Sequence, residues 1–136
     1  MNRILIKLLL CIFCGSNLFA GDYEIGSEFY KKGEYLKASE LFTKACNDEN
    51  TKSCLSLGVM YNHGFGVKED YQKAIELYKK ACDGGYGRGC VFLGSSYYDK
   101  AKEGNQDVKK AKELFGRACD LGDQTGCENY AFLNKE

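Results

Sequence analysis

The sequence predicts an all-α fold, a short solenoid of paired helices stapled by disulfides. Three observations carry that prediction. Cys46, Cys54, Cys82, Cys90, Cys119 and Cys127 form three pairs, each with its members eight residues apart. Successive pairs begin 36 and then 37 residues apart, a period at which helix pairs stack into an array. Within that period the apolar residues recur at helical rather than alternating spacing.

At 136 residues the chain allows one compact unit. Its 19 Lys+Arg balance 19 Asp+Glu, which argues against a nucleic-acid binder, because phosphate recognition needs a basic excess or a concentrated basic stripe. With 44% hydrophobic and 28% charged residues the chain is not of disordered composition. Eight cysteines are the unusual count and call for an oxidising compartment.

The N-terminal segment supplies one. Arg3 and Lys7 precede or interrupt an apolar run from Ile4 to Phe13, and Leu18-Phe19-Ala20 ends on a small residue before Gly21-Asp22. Residues 1–20 therefore read as a secretory signal cleaved after Ala20. The run falls short of the roughly 20 apolar residues of a membrane span. Lipidation at Cys14 is the competing reading, disfavoured because Phe13 stands where a small residue is preferred. Cleavage removes Arg3, Lys7, Cys11 and Cys14 and leaves 17 Lys+Arg, 19 Asp+Glu and six cysteines, a net charge of −2.

Residues 21–136 then divide into units of about 22–52, 53–88 and 89–125, with a capping half-unit at 126–136. Each full unit reads as helix A, a turn and helix B. Helix A carries Ile25-Gly26, Leu57-Gly58 or Leu93-Gly94, with Phe29, Tyr61 or Tyr97 three residues after the glycine. That glycine lets another helix approach closely. In the second unit Gly64-Phe65-Gly66-Val67 forms the turn, its glycines allowing positive φ and Val67 plugging the space between helices. Asp70 is the expected N-cap of helix B, whose stripe is Tyr71, Ala74, Leu77, Tyr78, Ala81 and Cys82. Lys37-Ala38, Lys73-Ala74 and Lys110-Ala111 mark the equivalent helix B in each unit. The first turn shortens to Lys31-Lys32-Gly33-Glu34, and the third, Asp99 to Asp107, lacks the Gly-x-Gly-Val sequence. Tyr130-Ala131-Phe132-Leu133 repeats helix A with no helix B to follow, as at the end of an array.

Each cysteine pair joins the end of one helix B to the start of the next helix A, so the expected bonds are Cys46–Cys54, Cys82–Cys90 and Cys119–Cys127. Metal ligation is the alternative. It is disfavoured because ligand cysteines come in closer pairs and His63 is the only histidine, so no metal and no cofactor is expected.

The pattern Leu57-Gly58, Tyr61, Gly64-Phe65-Gly66-Val67, Asp70, Lys73-Ala74, Tyr78-Lys79-Lys80-Ala81 resembles the Sel1-like branch of the tetratricopeptide-type repeats. With a cysteine pair in every unit and a secretion signal, residues 22–136 resemble the Helicobacter cysteine-rich protein family. The resemblance implies a right-handed α/α solenoid. It also implies a slow β-lactamase or penicillin-binding protein, since members of that family are so described.

The residues themselves supply no catalytic motif. No serine is followed three residues later by lysine, and one histidine cannot supply the ligands of a metallo-hydrolase, so no catalytic residue is assigned. Nor does a phosphate-binding loop occur, the glycines at 84, 85, 87 and 89 lying between helices. The alternative is a non-enzymatic module that binds through the concave face lined by helices A. In the geometry that the resemblance implies, residues one, four and five after the repeat glycine point into that face: Ser27, Tyr30, Lys31, Val59, Asn62, His63, Ser95, Tyr98 and Asp99, with Phe132 after Ala131. Such a set suits an extended peptide or an amide-rich ligand, although each residue is also what solvated helix surface carries. His63 is the natural proton carrier if chemistry occurs there, and otherwise a favourable residue at a helix C-terminus. The expected partners are a peptide, a host protein or a cell-wall fragment, or β-lactams, but neither nucleic acid nor, after cleavage, membrane. An adaptor or envelope scaffold is a third reading, and the expected state is a monomer.

Overall fold

The computed structural model describes residues 21–100 and 105–135. The expected signal and part of the third turn lie outside them. Among the described residues there are seven helices and no strand: α1 (Asp22–Lys31), α2 (Tyr35–Asn47), α3 (Thr51–His63), α4 (Tyr71–Asp83), α5 (Gly87–Lys100), α6 (Asn105–Asp120) and α7 (Gln124–Leu133). Each helix packs on its neighbours in sequence, and α5 also touches α3 and α7. Helices α3, α5 and α7 thus share one layer, with α1 at its N-terminal end.

Three polar caps set where helices begin. The Asn50 side chain accepts from the Ser53 N–H at 2.9 Å, Asp70 from Lys73 at 3.0 Å and Asp123 from Gly126 at 3.1 Å, each satisfying an amide that the helix leaves without an internal partner. The second turn follows from its glycines. Gly64 has φ 69° and Gly66 φ 67°, while the Phe65 N–H donates to the Met60 carbonyl at 2.9 Å and Val67 packs against the core. Between units, the left-handed position is taken by Glu49, Gly85 and Gly122.

The core is the set of facing stripes. Ala38, Phe42 and Cys46 of α2, Cys54, Leu57 and Met60 of α3, and Ala74, Leu77, Tyr78 and Ala81 of α4 are buried, and Leu93, Ala111 and Phe115 continue the run into the third unit. A Cβ on Gly26, Gly58 or Gly94 would lie 2.9, 2.6 or 2.8 Å from the ring of Phe42, Tyr78 or Phe115 respectively. An aromatic side chain from helix B rests on each of these backbones, which is the physical reason for the recurring glycine. Ala131 stands at the same place in α7 and is exposed.

Tyr71 departs from the expected stripe. Its side chain is 44% exposed, and its hydroxyl donates to the Ser96 carbonyl of α5 at 3.1 Å. As the first residue of α4 it reaches across to the next unit instead of packing on its own partner helix. Tyr78, two turns further in, is buried, and that burial pushes its hydroxyl up to about 12.

The three disulfides are Cys46–Cys54, Cys82–Cys90 and Cys119–Cys127, with Cα–Cα distances of 4.7, 4.5 and 4.4 Å. Each ties the last turn of one helix B to the first turn of the next helix A. The residue before the second cysteine lies under the preceding helix: a Cβ on Gly89 would come within 2.7 Å of Cys82 N. Ser53 holds the equivalent place in the first pair, where its hydroxyl is fully buried and lacks a hydrogen-bond partner.

Candidate functional site

A hollow of about 360 Å³ opens where α1, α3 and α5 face one another. Of the residues expected on the concave face, Ser27, Tyr30 and Lys31 of α1 and Val59 of α3 line it. A second hollow of about 210 Å³ brings Ser95, Tyr98 and Asp99 of α5 together with Phe132 of α7. Asn62 and His63 line neither. They lie at the C-terminal end of α3, where the His63 ring stacks on Phe65 at 5.4 Å and its Nε2 is 3.5 Å from Asn62 Nδ2.

An aromatic series connects that end to the larger hollow. Phe65 stacks on Tyr35 at 4.9 Å, and Tyr35 meets Tyr30 edge-on at 5.2 Å. Tyr30 is thus both groove wall and the last ring of the series. Partial burial, and secondarily the neighbouring Tyr35, raises its hydroxyl above the usual phenol range, so it remains a neutral hydrogen-bonding group at physiological pH. Ser27 is partly committed, its hydroxyl donating to the Tyr23 carbonyl at 2.8 Å and leaving only acceptor capacity for a ligand.

Several groove residues escape a count forward from the repeat glycine. Tyr23, Ser56 and Phe92 come from the preceding turn of helix A, and Lys52, Tyr86 and Arg88 from its start. Their signal lay in the repeat itself. Lys52 and Arg88 each stand two residues before the second cysteine of a pair, and Tyr86 stands where Asn50 and Asp123 cap the other units. A wider hollow of about 580 Å³ between α6 and α7 mixes Lys109, Lys112 and Arg117 with Glu113 and Asp120. Its charges largely offset one another, and no set of polar groups converges there.

Among the described residues no group of three His, Cys, Asp or Glu side chains is placed to hold a metal ion, and all six described cysteines are in disulfides. Nor is any described helix long and apolar enough to cross a membrane. The disulfides fit an oxidising compartment outside the cytoplasm. Chemically, the arrangement offers aromatic faces, hydroxyls and cations along an open trough.

The Sel1 repeat matches residues 51–86 and 87–123. Among solved structures, Helicobacter pylori cysteine rich protein B (hcpB) is 35% identical with a TM-score of 0.60, covering 68% of each chain. A Sel1 repeat protein from Oxalobacter formigenes shares the fold, with a TM-score of 0.71 at 22% identity over 82% of this chain and 46% of that one. A Helicobacter pylori relative carrying the name "Putative beta-lactamase HcpE" is 44% identical over 52 residues, which are 38% of this chain and 14% of the relative. The chain therefore spans only a small part of the curated relatives it matches. By the repeats it contains and the solved relative it covers, the chain belongs to the Sel1 repeat family, alongside the cysteine-rich proteins of Helicobacter.

Proposed function

We propose that the chain is an exported recognition module that holds an extended polypeptide in the trough on its helix A layer, in the periplasm or beyond the cell. The observation that carries this reading is the hollow between α1, α3 and α5, where aromatic faces and hydrogen-bonding groups from three successive units converge. Aromatic side chains supply contact area at little conformational cost, and a trough crossing repeat boundaries suits a ligand that runs along the array. A displayed peptide library selected on the oxidised chain provides ligands. Ser56→Trp, which fills the hollow without removing a core side chain, should weaken their binding about tenfold or more by calorimetry. Lys79→Ala, on exposed α4 surface, should leave it unchanged. Unaltered binding in the Ser56 variant, or equal loss in both, sinks the reading.

The names of the curated relatives favour a second reading, hydrolysis of β-lactam rings. Any such turnover would fall to oriented polar groups and water, since the sequence lacks the serine–lysine motif and the described cysteines are bonded to one another. On the recognition reading, the oxidised chain should open a chromogenic β-lactam no faster than a heat-killed control. Turnover well above that control, lost in His63→Ala, would favour hydrolysis instead.

A further inference from the structure

The trough has a chemical polarity that the rest of the chain does not share. Lys31 from α1, Lys52 from α3 and Arg88 from α5 line it, and no aspartate or glutamate does. This happens in a chain whose residues 21–136 carry a net charge of −2. Several acids are engaged elsewhere. Asp22 pairs with Lys44 at 3.0 Å, Glu49 with Lys80 at 3.4 Å and Asp83 with Arg117 at 3.2 Å. None of the ion pairs among the described residues uses Lys31, Lys52 or Arg88.

The position of two of these cations adds to the case. Lys52 lies in the first turn of α3 and Arg88 in the first turn of α5, and neither first turn contains an acidic residue. A helix N-terminus is already positive, so a cation there is slightly unfavourable to the helix and reinforces the local field. Both residues are exposed, and they line the same hollow as Tyr23, Tyr86 and Phe92. The same site in successive units therefore places a cation against helix stability and in favour of an anionic neighbour.

We propose that this trough selects an acidic polypeptide segment, with aspartate or glutamate side chains meeting Lys31, Lys52 and Arg88 and apolar side chains lying on Tyr23, Tyr86 and Phe92. The inference rests on the recognition reading and narrows it to one ligand chemistry. Charge complementarity of this kind governs which partner is chosen and how fast it arrives. A nucleic-acid duplex is the poorer fit, because residues 21–136 carry a net charge of −2 and lack the basic excess that phosphate recognition needs.

The test uses fluorescein-labelled decapeptides that alternate glutamate with phenylalanine, their glutamine and lysine counterparts, and the oxidised chain, read by fluorescence anisotropy. The glutamate peptide should bind about tenfold more tightly than the glutamine peptide, and added salt should shrink that advantage. Lys52→Gln with Arg88→Gln should abolish the advantage, so that the glutamate and glutamine peptides bind this variant equally well; a tenfold advantage that survives in it would overturn the assignment of these two cations. Lys52→Glu with Arg88→Glu should transfer the preference to the lysine peptide. Equal binding of the glutamate and glutamine peptides would overturn the acidic preference and leave the recognition reading standing. Binding of none of the peptides would overturn both, and tighter binding of a duplex oligonucleotide than of the glutamate peptide would overturn the choice of a polypeptide.

Discussion

Reduction of the three disulfides is expected to remove about 7.5 kcal/mol of stability, from about 2.5 kcal/mol for each closed loop on the chain-entropy relation. All three loops have the same sequence separation, 8, so their contributions should be similar. A single domain has only about 5–15 kcal/mol in total, so the reduced chain should lie close to its folding threshold. A solenoid is especially exposed to this loss. Each unit is stabilised by its immediate neighbours, and the bonds lie at those junctions. Thermal melts followed by circular dichroism, with and without a phosphine reductant, should differ by tens of degrees. Replacing Cys82 and Cys90 together with serine should give about a third of the full effect. Melts that coincide would show that helix packing alone holds the array.

Gly66→Ala should be the most damaging single substitution in the turns, costing about 3 kcal/mol. Part of that is the left-handed backbone, at φ 67°, which costs a residue with a Cβ about 1–2 kcal/mol. The rest is steric, because the new methyl group would run into the backbone carbon and oxygen of Tyr35. Backbone cannot swing aside as a flexible side chain can, so α2 and the turn must separate. Gly33→Ala isolates the first contribution: it too has positive φ, 77°, but nothing lies within 4 Å of the added atom. Denaturant midpoints should show a much larger loss at 66 than at 33. Equal losses would assign the whole effect to backbone conformation.

The helices were legible because a repeat prints each element several times. One glycine alone is ambiguous, but Gly26, Gly58 and Gly94 at matched places point to one close approach, and the rings of Phe42, Tyr78 and Phe115 make it. Asp70 was legible as a cap because capping is a local event between residues three apart. Tyr71 was not, since the periodic stripe places it inside while its actual partner, Ser96, belongs to another unit. The trough was legible in the part contributed by one helix turn, as with Ser27, Tyr30 and Val59. Lys52, Tyr86 and Arg88 come from the starts of successive helices A, so their convergence depends on how units are set against one another. Asn62 and His63 show the opposite limit. Helical phase puts them on the same face, but they lie too far along α3 to reach the hollow.

The location of the disulfides gives the array a mechanical character. Each bond spans a joint between units and none lies within a helix pair, so what is fastened is the angle at which one unit follows the next. The trough crosses two of these joints on its way from α1 to α5, and its curvature is set before any ligand arrives. On the recognition reading, a partner would meet a surface already cut to shape and spend little of its binding energy on ordering it. Thiol–disulfide chemistry acts here as a brace on hinges: opening a bond frees a joint to swing while the helices on either side remain wound.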